Sequence, residues 1–264
     1  MRALNTAATG MLAQQTNVEV IADNIANMNT TAYKRARAEF QDLLYQSEQR
    51  VGGATRNTET LSPAGVQIGL GVRTAGISRI YTQGSLVKTD NQLDLAIQGR
   101  GFFVVNIPGQ DQPAYTRDGN FSRSATGEIV TAQGYTVSPG IVIPDNATDV
   151  TISQNGEVYA FIGNESQPQL LGQLDMALFV NENGLRQAGG NLAYPTEASG
   201  EPVMGTPGNT EAGFGTVLQG YSESSNVNVI EEITSLITAQ RGYEMNSKVI
   251  QAADEMLGTM SNMR

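Results

Sequence analysis

The chain reads as an α+β protein: N- and C-terminal helices packed as an antiparallel coiled coil, with an inserted, mainly antiparallel β-domain. Three observations predict this. Near the N-terminus Leu4, Met11, Val18 and Ile25 recur every seven residues, with Ala7, Ile21 and Met28 interleaved and only Gln14 breaking that second row. Near the C-terminus Val229, Leu236, Tyr243, Ile250 and Leu257 repeat in the same way, with Ala239, Ala253 and Met260 interleaved. The long middle is rich in Gly, Thr, Ser, Asn and Gln and carries short alternating apolar runs. A seven-residue apolar repeat marks a helix that buries one stripe against another helix, whereas a period of two marks strands.

Taken in order, the first helix is predicted from Ala3 to Ala26, about 35 Å at 1.5 Å per residue. Asn27, Asn29, Thr30 and Thr31 end it, because their side chains compete for backbone hydrogen bonds and favour caps and turns. Residues 36–68 read as an extended arm or linker. They open with a helical extension through Phe40, Leu43 and Leu44 and continue into a polar stretch around Gly52 and Gly53. The β-domain is predicted over 69–220. Its strand candidates are Val72 to Tyr81, Leu93 to Ile97 with apolar residues alternating against Asp94 and Ala96, Phe102 to Ile107, Tyr135 to Val137, Val158 to Ile162 and Leu174 to Val180. Turn signals separate them, among them Gly99-Arg100-Gly101, Asp118-Gly119, Pro139-Gly140 and Asn183-Gly184. The last helix begins after Asn228, which with Glu231 fits a capping box, and runs to Met260, about 48 Å. Residues 1–35 and 221–264 then form one terminal helical domain, antiparallel because the chain leaves along one helix and returns along the other.

Composition narrows the function. Charged residues are only 16% of the chain, below the roughly 25% of ordinary soluble domains, so protein neighbours or uncharged polar groups cover much of the surface. The net charge is -10, and the one basic cluster, Lys34-Arg35-Ala36-Arg37, is too small for a nucleic acid or an anionic membrane. With neither Cys nor His, thiolate nucleophiles, His-based triads and zinc sites built on imidazole or thiolate are unavailable. No catalytic residue, cofactor or metal is expected. No run approaches the roughly 18 apolar residues of a membrane span, and polar Asn5, Thr6, Thr9, Gln14 and Gln15 interrupt any secretory h-region. Export, if it occurs, is expected to bypass a cleaved signal.

The chemical motifs have plain structural explanations. Ser85-Leu86-Val87-Lys88 matches an S-x-x-K nucleophile pattern, but that chemistry places the serine at a helix start and this region reads as strand and turn. Gly69-Leu70-Gly71 and Gly99-Arg100-Gly101 lack the third glycine and following helix of a dinucleotide site. Asp90, Gln92 and Asp94 lack the glycine and twelfth-position glutamate of a calcium loop. Glu231 and Glu232 suit the positive end of a helix dipole better than acid–base work. A glycosidase needs two carboxylates about 5–10 Å apart in an aromatic cleft. The absence of Trp argues against it.

The termini therefore carry the functional reading. A lone pair of helices buries too little to offset the entropy of ordering it, and Ile230, Ile237, Val249 and Met256 fall outside the main stripe, where only further neighbours can cover them. The candidate assembly interface is Leu4, Met11, Val18, Ile21, Ile25, Met28, Val229, Ile233, Leu236, Tyr243, Ile250, Leu257 and Met260. These segments are expected to be poorly ordered alone and to fold on polymerisation.

Particular motifs now fit a family. Asn24-Ile25-Ala26-Asn27-Met28-Asn29-Thr30-Thr31-Ala32-Tyr33-Lys34 resembles the N-terminal motif of the bacterial flagellar rod and hook family, with Ala32 and Tyr33 in place of the usual Gly and Phe. Leu93 to Phe103 and Tyr115 to Phe121 resemble that family's central β-domain. Asn226, Asn228, Gln240, Arg241 and Asn246 lie in a stretch similar to its C-terminal helix, with Gly242 where Ala is commoner. Within the family, Gly65 to Val72 and the chain length point to the distal rod, with a proximal rod or hook protein as the alternative. The resemblance implies a self-assembling helical homopolymer, exported by the flagellar type III system, that forms a rigid hollow shaft from periplasm to outer membrane. Its implied partners are proximal rod proteins, the hook protein and the P-ring and L-ring proteins, with no nucleic acid and no direct membrane insertion. It also implies that the arm near Gln46 to Ala64 stiffens the shaft.

Overall fold

The computed structural model describes residues 2–49, 66–110, 112–163, 167–209 and 211–262. It is an α+β protein with helix α1 (Arg2–Ala26) at one end, helix α2 (Val229–Asn262) at the other and antiparallel strands between. The chain divides into two compact units. The first comprises residues 1–26, 36–80 and 228–264, and the second 27–35 and 81–227.

In the first unit α1 and α2 pack on each other, accompanied by strands β1 (Ala36–Asp42), β2 (Tyr45–Gln49), β3 (Val66–Gly69) and β4 (Val72–Arg79). β1 pairs with β4 from Ala36 opposite Arg79 to Asp42 opposite Val72, with a bulge between Glu39 and Phe40. β2 pairs with β3 from Tyr45 opposite Gly69. Leu43 N–H donates to the Gly71 carbonyl at 2.8 Å and Leu70 N–H to the Leu44 carbonyl at 3.2 Å, so the two ladders join into one two-stranded ribbon. The helical extension expected through Phe40, Leu43 and Leu44 is thus a strand followed by a link between ladders. Apolar residues three and four apart imitate a helix, but here pairing with a distant strand satisfies the backbone instead. Part of the expected arm, residues 50–65, lies outside the described residues. Gly71 holds the ribbon close to α1: at φ +122° a side chain is strained, and a Cβ there would lie 2.2 Å from Thr9 Oγ1.

The second unit contains, among the described residues, strands β5 (Leu86–Lys88), β6 (Leu95–Gln98), β7 (Phe102–Asn106), β8 (Ala114–Thr116), β9 (Phe121–Arg123), β10 (Ile129–Thr131), β11 (Thr136–Val137) and β12 (Ala147–Ile152). There follow β13 (Glu157–Ile162), β14 (Gln169–Gln173), β15 (Met176–Leu178), β16 (Arg186–Gly189), β17 (Leu192–Tyr194), β18 (Val203–Gly205), β19 (Thr216–Gln219) and β20 (Tyr221–Glu223). The largest sheet runs β16-β17-β8-β7-β11-β10-β9, with β15 joining β7 to β18. β12, β13 and β14 form a second sheet, and β6–β19 and β5–β20 form pairs. One core gathers Leu95, Ile97, Phe103, Phe121, Ile129, Val158, Leu174 and Met176. A second gathers Phe102, Val104, Tyr115 and Phe179, whose rings meet edge to face at 5.7 Å for Phe102–Phe179 and 4.8 Å for Tyr115–Phe179. The alternation expected at 93–97 does not hold. Leu95, Ala96 and Ile97 are all buried, because both faces of β6 are covered.

Candidate assembly interface

The two helices run antiparallel in one fixed register. Asn24 meets Glu232, Gln14 meets Gly242 and Gly10 meets Asn246, so the partner number rises along α2 as it falls along α1. Their line of contact is built from small and polar side chains. Ala7, Ala13, Val20, Ile21 and Asn24 are buried on α1, and Glu232, Ala239 and Ala253 on α2. A Cβ at Gly10 would come within 2.9 Å of Asn246 Nδ2, and one at Gly242 within 3.3 Å of Gln14 Cδ. Small residues bring the backbones together, and the larger side chains are displaced to the flanks.

That displacement decides where the candidate interface residues lie. Of the thirteen, Ile21 is buried in the contact line. Leu4, Met11, Val18, Ile25, Val229, Leu236 and Ile250 are half-buried beside it. Met28, Ile233, Tyr243 and Leu257 are exposed, and the Met260 side chain lies outside the described residues. Off-stripe residues are also exposed: Ile230 (77%), Met245 (63%), Met256 (60%), Ile237 and Val249. Gln15, Val18, Glu19, Gln240, Tyr243 and Glu244 line an open groove of about 350 Å³ along one flank of the helix pair. The interleaved small row of the heptads closes within the subunit, and the large row beside it remains available.

Asn228 caps α2, its Oδ1 accepting from Ile230 N–H at 3.1 Å, and the first helical bond runs from Glu232 N–H to the Asn228 carbonyl at 3.0 Å. Asn24 is a clamp. Its Nδ2 donates to the Ala36 carbonyl at 2.8 Å and to Glu232 Oε2 at 3.1 Å, while Ala36 N–H donates to its Oδ1 at 2.8 Å. Glu232 is thereby a buried bonding partner as well as a first-turn acid.

The remaining motif residues lie in the second unit, apart from Gln240, Arg241 and Asn246 on α2. Thr30 Oγ1 donates to Asn27 Oδ1, and Asn29 is exposed. Thr31 Oγ1 donates to Asp118 Oδ1 at 3.1 Å. Ala32 adopts φ +55° and donates its N–H to the Glu223 carbonyl at 2.8 Å. Tyr33 is buried. Asn226 Oδ1 accepts from Arg35 N–H at 2.8 Å, and its Nδ2 donates to the Thr82 carbonyl at 3.0 Å. The chain segment that leaves α1 and the one that enters α2 are therefore tied side by side.

At this tie lies a buried ionic cluster that the sequence does not disclose. Glu223 accepts from Lys34 Nζ at 2.5 Å, from Arg117 Nε at 3.1 Å and from Gly84 N–H at 2.9 Å. Lys34 also donates to the Thr82 carbonyl at 2.9 Å and Arg117 to the Gly99 carbonyl at 2.7 Å. Burial pushes the Lys34 ammonium below the ordinary lysine value and the Arg117 charge adds to this, while Glu223 opposes both. The S-x-x-K serine directly precedes strand β5, and Lys88 forms an exposed ion pair with Asp90 at 2.7 Å.

Comparison with known proteins gives consistent matches along the chain. Residues 4–34 match the family described as Flagella basal body rod protein. Residues 96–160 match the Flagellar hook protein FlgE/F/G D1 domain, and 218–263 match the Flagellar basal body rod FlgEFG protein C-terminal region. The chain is 54% identical over 264 residues to the flagellar basal-body rod protein FlgG of Caulobacter vibrioides, covering all of both chains. It is 53% identical to that of Agrobacterium fabrum over 99% of this chain and 98% of the relative. With that of Borreliella burgdorferi the identity is 45% over 100% and 99%.

Proposed function

This chain belongs to the FlgG family of flagellar basal-body rod proteins, and we propose on that premise that it polymerises through its terminal helices into a rigid hollow shaft. It is a structural subunit of the distal rod and not an enzyme. In the assembled shaft the α1–α2 pair forms an antiparallel coiled coil whose flanks are covered by helices of other copies. Head-to-tail contacts that do not close into a ring generate a helical filament. The bore of that filament forms part of an export channel, and its wall transmits torque toward the hook.

One observation carries this reading. α2 is 34 residues long, about 51 Å, and exposes large apolar side chains on several sides while burying only a narrow row of small and polar ones. Large apolar side chains left exposed on several sides of one helix mark surface that another chain covers. In the register seen, α2 outruns the start of α1 beyond about Ala253, and Met256 and Leu257 on that overhang are exposed. Leu4, Met11, Val18, Ile25, Val229, Leu236, Tyr243, Ile250 and Leu257 supply the contacts between copies, and the 36–49/66–79 ribbon serves as the stiffening arm. Proximal rod proteins and the hook adjoin the two ends, and the P-ring and L-ring surround the shaft from periplasm to outer membrane. Secretion proceeds through the flagellar type III system. Electron microscopy of concentrated purified chain tests the proposal: straight hollow fibres are the expected result, and monomers under every condition would contradict it.

A further inference from the structure

A seven-residue repeat has a weakness as an assembly code, because sliding one helix past the other by seven residues again places apolar rows on apolar rows. Leu4, Met11, Val18 and Ile25 are nearly interchangeable under such a slide, as are Leu236, Tyr243, Ile250 and Leu257. In a polymer the problem grows, since every α1 also has the α2 of other copies within reach. Something in the contact line must distinguish one register and one partner.

We propose that the buried Asn24–Glu232 hydrogen bond is that register key, positioning α2 on the α1 of its own chain before other copies are engaged. This inference rests on assembly through the terminal helices. The row of α2 that faces α1 reads Glu232, Ala239, Asn246, Ala253, in which Glu232 is the one carboxylate and is 1% exposed. Asn24, also 1% exposed, is already held by the Ala36 backbone on two sides, which leaves its remaining amide proton aimed at Glu232 Oε2. A slide in one direction carries Glu232 beyond the end of α1 and leaves the Asn24 amide proton facing the methyl of Ala239. A slide in the other sets Glu232 opposite Asn17 and carries Asn24 past the start of α2, where its amide proton no longer meets Glu232. Either error breaks the buried pair, whereas apolar side chains tolerate both. A single buried polar contact in an otherwise repetitive seam is the physical means by which helical pairs fix register.

The native chain contains no cysteine, so introduced pairs report register cleanly. In the full-length protein, Gln14→Cys with Gly242→Cys reads the native register, and Gln14→Cys with Ser235→Cys or Val249→Cys reads a slide of one heptad in either direction. Oxidation before and after assembly, followed by non-reducing electrophoresis, separates cross-links within a chain from those between chains. The native pair is expected to dominate in otherwise unaltered protein. In Glu232→Leu, which keeps the Asn24–Ala36 bonds, its yield should fall at least twofold while slid or interchain products appear. Glu232→Gln, which preserves an acceptor for Asn24, should restore the native pattern. An unchanged pattern in Glu232→Leu, or slippage in Glu232→Gln equal to that in Glu232→Leu, would overturn the assignment. Failure of the unaltered chain to form fibres, with the cross-link pattern still shifted by Glu232→Leu, would count against the rod mechanism and leave the key intact.

Discussion

Ala32 shows how a small departure from a motif becomes a local cost. Its φ of +55° lies in the left-handed region, where a Cβ crowds the backbone and glycine does not. The tie to Glu223 holds it there. Ala32→Gly should therefore raise stability by up to about 1 kcal/mol, partly offset by the freer unfolded chain, as measured by denaturant unfolding. Lys34 gives a second prediction. Its folded pKa is below the 10.5 of the free side chain, so between the two values the unfolded chain binds more protons than the folded one. The contribution of this group to stability accordingly rises with pH on the approach to 10.5. Measured against Lys34→Met, the wild type should gain stability as pH is raised from neutral toward that value, and a widening deficit would contradict the burial argument. The motif positions were legible in the sequence, since Asn24, Lys34 and Asn226 announce themselves by resemblance. Their partners were not. Glu232 and Glu223 lie 208 and 189 residues from Asn24 and Lys34, and no local pattern marks an acid that will be buried by so distant a neighbour.

Among the elements, the two long helices were readable because a seven-residue period sustained over many turns leaves little ambiguity. The observed spans, Arg2–Ala26 and Val229–Asn262, lie within two residues of the predicted ends. The period did not reveal the phase of contact. Large side chains suggested the seam, but backbone approach at Gly10, Ala239 and Gly242 turned the smaller row inward, an outcome set by packing geometry more than by hydrophobicity. Gly242, a helix-loosening residue by propensity alone, is thus part of the close approach. Strands of two to four residues, such as β10 and β11, are too short for a period of two to register, and only the longer runs in the middle of the chain carry the signal. A narrow seam with exposed flanks also predicts dynamics. In dilute protein, amide exchange across Val229 to Leu257 should be fast relative to the β6 and β7 core and should slow strongly in fibres. Strong protection in the dilute chain would show that the helix pair holds itself together without neighbours.

For the whole molecule, the division of labour is between a well-filled β core and a pair of helices left incompletely covered. Phe103, Leu95 and Met176 are essentially inaccessible, whereas Ile230, Met245 and Met256 stand in solvent. A chain that needed only to fold would not hold so much apolar surface in reserve on one element, and assembly is the use that absorbs it. The most direct test places charge on that reserve without touching the intramolecular contact line. Purified full-length chain carrying Ile230→Glu and Met245→Glu should retain the wild-type circular dichroism spectrum yet remain monomeric when examined by electron microscopy at concentrations where the wild type forms straight fibres. Fibres of normal appearance from that variant would contradict the claim that these exposed helix flanks build the rod.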